Sequence, residues 1–337
     1  MSSDDVILLA HGSGGTLSHD LVADRLLPHI GNETLDCLND SAVLNVHGRM
    51  AFTTDSYIVD PIFFSGGDIG KLAVCGTIND LSVVGATPLC ISLALIIEEG
   101  FPISQLDIVM ASVRAACDEA GVQVVTGDTK VVNRGKADKL FINTAGVGTI
   151  AQGTNVSGHN ARPGDRVLLS GTIADHGIAI MGSREGLSFS SDIKSDCAPL
   201  NGLVSAMLQE GGDAIHAMRD PTRGGLASTL NEIASQSGTA IHIEESRLPV
   251  KSSVRAACEM LGLDPLYVAN EGKLVAVVAP DSAPAVLKAM RGHHYGASAV
   301  DIGEVTDSKP GRVTMRTLMG PTRLVPMLAG ELLPRIC

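Results

Sequence analysis

A set of aspartates stands in unusual company along this sequence. Asp40 lies in LNDSAV, Asp55 in FTTDSY, Asp80 in GTINDLSVVGA and Asp128 in TGDTKVV, and Asp220 opens DPTRGG. Asp55 and Asp128 fall where a β-like run gives way to a turn, whereas Asp80 interrupts an otherwise apolar helix. A carboxylate in apolar surroundings is costly unless it is paired or binds metal. Capping a helix or forming an Asx turn is explanation enough for Asp220. It is a weak explanation for Asp80, whose neighbours Ile78, Leu81 and Val84 point to burial. Several such aspartates converging would make an oxygen-rich site suited to Mg²⁺ with a nucleotide polyphosphate.

Other residues could serve such a site. The stretch HGSGGTLSHD carries Gly12, Gly14 and Gly15 ahead of a helix that we expect to be capped near Ser18. Its backbone N–H groups could cradle an anion, or the glycines could simply make a flexible entry loop. Lys130, two residues after Asp128, is either a phosphate contact or a solvated surface charge. Glu271 in VANEGKL precedes a glycine and a buried strand, as a turn residue or a positioned base. Cys337 closes the sequence in PRIC. A thiol at a free end can move, although termini tolerate almost any residue.

The elements that must position these groups alternate between strand-like runs and helical periodicity, which defines an α/β chain. MAFTTDS, LCISLALII, VQVVTGDTKVV, KLFINTAGVG, RVLLSGTI, AIHIEE and KLVAVVAP read as strands. A helix is expected from a Ser104 cap, with Leu106, Val109, Met110, Val113 and Cys117 on one face and Gly121 as its stop. A second is expected from Asp220, with Pro221 at its first position and Leu226, Leu230 and Ile233 in register. Residues 151–166, AQGTNVSGHNARPGDR, lack apolar periodicity and mark a domain boundary.

Composition excludes several classes. The 337 residues suffice for two ordinary domains. A net charge of −12 speaks against a nucleic-acid surface, which needs clustered Lys and Arg. Seven cysteines without a CxxC pair indicate neither a zinc site nor a disulfide framework. No stretch approaches membrane-spanning length and no signal peptide is evident, so a soluble cytoplasmic protein is expected. The phosphate-binding pattern GxxxxGK[ST] is absent, and GVGTIA only grazes the dinucleotide fingerprint.

Taken in order, HGSGG, NDSAV, TTDSYIVDP, GTINDLSVVGA, GDTKVV, DPTRGGL, ANEG and the terminal PRIC resemble the HypE family of hydrogenase maturation factors. That family belongs to the superfamily of aminoimidazole ribonucleotide synthetase and selenophosphate synthetase. The resemblance spans the whole chain. It implies a two-domain PurM-like α/β fold, with an N-terminal domain (1–155) that binds ATP and metal and pairs its sheet in a homodimer. An α/β C-terminal domain (160–325) and a mobile tail (326–337) would follow. It implies that Asp40, Asp55, Asp80 and Asp220 hold Mg²⁺ and phosphate, that Asp128 and the glycine loop lie at the nucleotide, and that Lys130 and Glu271 lie near the incoming tail.

In that family Cys337 would itself be the substrate. A carbamoyltransferase, HypF, would carbamoylate it, and ATP would then drive dehydration of the S-carboxamide to a thiocyanate. The cyano group would pass to iron held by HypC and HypD, as a ligand of [NiFe] hydrogenase. Phosphorylating the amide oxygen turns expulsion of hydroxide into loss of phosphate. Two N–H protons must also leave, with Glu271 as the candidate base and Lys130 as a cation for the amide oxygen or phosphate. Arg335 would favour the thiolate, which the adjacent α-carboxylate would oppose. A selenophosphate synthetase would need a reactive Cys or selenocysteine and a Lys near the start, and HGSGGTLSHD has neither. A non-catalytic thiol carrier would give no reason for the aspartates.

Overall fold

The protein is described from a computed structural model, which covers residues 6–13, 16–37, 41–185, 193–329 and 335–337. Asp40, Gly14, Gly15 and Pro334 lie outside the described residues.

Two sheets organise the chain. The first takes β1 (Arg49–Tyr57), β4 (Ala86–Glu98), β5 (Gln123–Val132) and β6 (Leu140–Ile150) in the order β1-β6-β4-β5, beside a short pair, β2 (Phe63–Phe64) and β3 (Gly67–Asp68). The second has the order β13-β12-β9-β11-β7-β10-β8. Its strands are β7 (Arg166–Leu169), β8 (Ile215–Arg219), β9 (Ala240–Glu244), β10 (Val275–Val278), β11 (Val300–Thr306), β12 (Val313–Arg316) and β13 (Thr322–Leu324). All seven expected strands form. IHAMR (β8) and the three strands after β10 were not anticipated, because such short segments carry too little alternation to stand out.

In the first sheet, β4 runs parallel to β5 and antiparallel to β6. One face is covered by α3 (Ile69–Val83) and α4 (Ile103–Ala120), after the short α1 (Thr16–Leu21) and α2 (Leu27–Ile30). Asp68 starts α3 by accepting from Gly70 N at 2.8 Å and Lys71 N at 3.1 Å. Every residue of α3 except Lys71 and Asp80 is buried, so Asp80 is the carboxylate its apolar sequence singled out. The expected face of α4 is buried, and Gly121 ends the helix at φ 70°. Its N-cap is Pro102 rather than Ser104, because Phe101 and Ile103 anchor the turn one step earlier. The other face of the sheet is open, with Phe52 70% and Met50 51% exposed.

The second sheet is covered on both sides, which explains the unbroken apolar run VAVV in β10. Val275 and Val277 pack with α7 (Gly225–Ser237), while Ala276 and Val278 face α6 (Asn201–Gly211) and α9 (Ala283–Gly292). Two further helices, α5 (Asp175–Glu185) and α8 (Ser252–Leu261), flank this layer. The start of α7 departs from expectation. Asp220 is no cap and Pro221 no first helical residue, because the helix begins after Gly224 at φ 77°. Asn270 holds the preceding segment as a loop, donating from its backbone N (3.1 Å) and from Nδ2 (2.9 Å) to Pro221 O. Gly225 permits the turn, since a Cβ there would lie 2.6 Å from Leu266 O and Val268 O.

Candidate active site

The loop that α7 gives up brings Asp220 to the cleft between the sheets, where Asp80 projects from α3 and Asp55 from β1. Thr53 Oγ1 donates to Asp80 Oδ2 at 2.9 Å. Burial, and then Asp55, raise the Asp80 carboxyl against the opposing pull of Thr53, Arg219 and Arg223. Burial, followed by the charges of Asp80 and Asp55, pushes Asp220 up to about 7. These three carboxylates therefore act on one another, as the sequence suggested. Among the described residues, no three His, Cys, Asp or Glu side chains form a ready metal cage. Their shared negative charge fits a cation held jointly with phosphate oxygens rather than by protein alone.

Glu271 enters the cleft from the opposite side and is 3% exposed. Asn79 on α3 fixes its backbone, donating from Nδ2 to Glu271 O at 3.2 Å and to Ala198 O at 3.1 Å. Gly272 lets the chain pass, because a Cβ there would fall 1.8 Å from Asp196 O. Oε1 of Glu271 is buried without a hydrogen-bond partner. Burial first, then Cys197, Asp220, Asp196 and Asp55, push this carboxyl well above the ordinary range. Burial also works on Asp196, but Lys273, 3.1 Å away, and His176 hold that carboxyl low.

Cys337 sits in the same cleft. Its neighbour Ile336 is 3% exposed and belongs to the core of the first sheet, with Cys337 packed against that core. Burial, and then Glu271, drive the Cys337 thiol far above the usual thiol range, with Arg223 opposing. The thiol at rest is thus neutral. Arg335 does not promote a thiolate, because its guanidinium pairs with Asp138 at 2.7 Å. The nearby cation is Arg223, which sequence reasoning missed although it stands inside DPTRGG. Far from fraying, the terminal residues 335–337 are docked.

Asp128 and Lys130 lie elsewhere in the chain. The cross-strand row Ser56–Asn143–Ala94–Asp128 puts Asp128 three strands from β1, about 14 Å away. Asp55 belongs to the neighbouring row with Thr144, Leu93 and Gly127, so Asp128 points to the opposite, open face. Lys130 pairs with Asp128 and is not beside the tail of its own chain. Both line a cavity of about 450 Å³ with His11, Gly12, Leu26 and Ile30. Gly12 is required there, since a Cβ would lie 2.5 Å from Val131 N. Ser18 lies within α1 and bonds back to His11 O at 2.7 Å instead of capping the helix.

This arrangement of two sheets around an acidic cleft defines a protein of the AIR synthase related class. Residues 38–150 match its N-terminal domain and residues 162–316 its C-terminal domain. The chain belongs to the HypE family of carbamoyl dehydratases. It is 55% identical to carbamoyl dehydratase HypE of Bradyrhizobium diazoefficiens over 98% of this chain and 95% of that protein. A crystal structure of hydrogenase maturation protein HypE in complex with ATP superimposes with a TM-score of 0.95 at 51% identity, covering 98% of this chain and 99% of that one. HypE from a HypE–HypF complex superimposes with a TM-score of 0.81 at 51% identity, covering 93% and 100%.

Proposed function

We propose that this protein dehydrates a carbamoyl group carried on its own Cys337, using ATP, and so makes the thiocyanate that supplies cyanide for [NiFe] hydrogenase. The observation that carries the reading is the seating of Cys337 in a buried cleft beside a glutamate whose Oε1 has no partner. A carboxamide on the sulfur would bring N–H donors that satisfy that oxygen. The reaction removes one oxygen and two hydrogens from S–C(=O)NH₂. The oxygen departs on phosphate after phosphoryl transfer from ATP, and the two N–H protons go to base and solvent. Glu271 accepts at the nitrogen, and its burial makes it a strong acceptor once ionised. Asn79 and Gly272 fix where its carboxylate stands.

The cavity beside Gly12 has an apolar wall of Leu26 and Ile30 and a polar rim of His11, Asp128 and Lys130, a lining that suits a nucleotide. Within one chain that cavity lies about 14 Å from β1 and on the other face. The nucleotide's phosphates would therefore meet the Asp55, Asp80 and Asp220 cluster of the second copy in a homodimer. There Mg²⁺, held by those carboxylates together with Asp40, would neutralise the transferring phosphoryl group. Asp80→Asn and Asp55→Asn should each weaken Mg²⁺–ATP binding by about tenfold or more while leaving the fold intact. Calorimetry checks this, and unchanged affinity in both variants would remove them from the site.

The open face of the first sheet, with Phe52 and Met50 exposed, supports pairing of the N-terminal domains (1–155) in a homodimer. Closing two four-stranded sheets into one barrel sets β5 of one copy beside β1 of the other, and brings Lys130 to the partner's tail. Lys130→Ala should therefore abolish dehydration. A mixed dimer of Lys130→Ala and Cys337→Ala chains should recover part of it, because one of its two sites is whole. No recovery would place Lys130 in its own chain's nucleotide cavity.

Carbamoylation by HypF and cyano transfer to iron held by HypC and HypD complete this reading, with the tail (326–337) travelling from the C-terminal domain (160–325) to those partners. Incubating the carbamoylated protein with Mg²⁺–ATP should lower the mass of its C-terminal peptide by one water. Among the described residues no helix is long and apolar enough to cross a membrane, and all seven cysteines are free, which agrees with work in the reducing cytoplasm.

A further inference from the structure

We propose that α5 is a latch for the chain's own C-terminus: His176 and Arg184 capture the last carbonyls of the tail and fix the register in which Cys337 reaches Glu271. The proposal rests on the reading of Cys337 as substrate, and it names positioning residues that the sequence did not reveal. Each of the three terminal residues has a main-chain oxygen taken. Arg335 O accepts from Asp60 N at 3.2 Å and from Arg184 Nη2 at 2.9 Å. The Ile336 carbonyl accepts from His176 Nε2 at 2.8 Å, and an oxygen of the Cys337 α-carboxylate accepts from Ile58 N at 3.2 Å. Arg184 is braced in turn by Asp60 O, 2.9 Å from Nε and 2.7 Å from Nη2.

The imidazole is set for this task. It is fully buried, edge-on to the Phe64 ring at 5.6 Å. A carbonyl can only accept, so the proton must sit on Nε2. Nδ1 is then left to accept from Ser195 Oγ at 2.8 Å, and that oxygen accepts from Cys197 N at 3.1 Å. The tail itself shows that it is held. Arg335 has φ 52°, a left-handed conformation that a non-glycine residue keeps only where its surroundings impose it.

Register is what the latch controls. An extended chain advances about 3.3 Å per residue and turns its side chain to the other face at each step, so a slip of one residue would take the sulfur away from Glu271. Capturing successive carbonyls prevents that slip without reading side chains. Backbone hydrogen bonds are also readily exchanged for water, so the same tail can leave for a partner's site. The strength of the latch therefore sets how the tail divides its time between docked and released positions.

The test compares His176→Leu, which removes the donor, with His176→Gln, whose amide N–H can replace it. Both are made in the full-length chain. Two rates are measured at fixed pH: maleimide labelling of Cys337, read from the mass of the C-terminal peptide, and single-turnover dehydration of the carbamoylated chain. In His176→Leu, labelling should rise and dehydration should fall, each by about tenfold, the order expected when a buried carbonyl loses its donor. His176→Gln should restore both, and ATP binding should stay unchanged in both variants. A leucine variant within twofold of wild type in both rates would overturn the latch. So would slowed dehydration with unchanged labelling, since the tail would then still be docked. If the leucine variant cannot bind ATP, Arg184→Gln is measured in the same two assays and judged by the same outcomes. Because labelling reports docking without any turnover, faster labelling in a protein that never dehydrates its carbamoyl group would support the latch and sink the proposed reaction.

Discussion

Replacing Cys337 with alanine should abolish carbamoylation and hydrogenase maturation, with ATP binding and dimerisation unchanged. The change removes one sulfur from a half-buried position, while Ile336 keeps its place in the core and the backbone bonds of the tail persist. Stability should therefore shift by no more than about 1 kcal/mol. None of the other six thiols can substitute. Cys75, Cys90, Cys117, Cys197 and Cys258 are buried, and Cys37, although exposed, lies on a 3₁₀ turn far in sequence from the tail. The measurement is peptide mass mapping after incubation with the carbamoyltransferase, carbamoyl phosphate and ATP. In the intact protein the adduct should appear on the C-terminal peptide alone and lose one water with Mg²⁺–ATP. An adduct on any other cysteine, or one that ATP never dehydrates, would refute the assignment.

Glu271→Gln should separate the two halves of the reaction. Glutamine preserves the shape of the side chain and the contacts of its backbone with Asn79 and Asp196, but it cannot accept a proton. ATP affinity and acceptance of the carbamoyl group should remain as in wild type. The dehydration rate should fall by a factor of about 10² to 10⁴, the span that general base catalysis supplies. Burial, and then the neighbouring acidic groups, already favour the neutral carboxyl at Glu271, so a neutral amide there adds no buried charge and the variant should be no less stable than wild type. Single-turnover mass spectrometry on the carbamoylated chain decides the matter. Wild-type turnover in Glu271→Gln would mean that another group takes the protons, and the unpaired Oε1 would then need a different explanation.

The sequence by itself determined the longer strands and part of the cast. Alternating and continuous apolar runs specified seven strands, because a strand's burial is written into its side-chain period. One charged residue in the largely apolar run GTINDLSVVGA was enough to single out Asp80 as a candidate site residue, since the cost of burying a carboxylate can be judged from its neighbours. The ordered motifs named the family and suggested the chemistry proposed for Cys337. What the sequence could not supply was distance. Asp128 and Lys130 read as companions of the other aspartates, yet strand order sets them about 14 Å from β1 and on the other face, which only pairing across the sheet decides. Asp220 read as a helix cap, because DP followed by a helical pattern is the local signature of one. Asn270, far along the chain, overrides that preference and turns the segment into a cleft loop. His176 and Arg184 carried no signal at all. A histidine and an arginine on a helix become a latch only when the fold lays the last three residues of the chain against them, and no local pattern encodes a contact between positions 176 and 336.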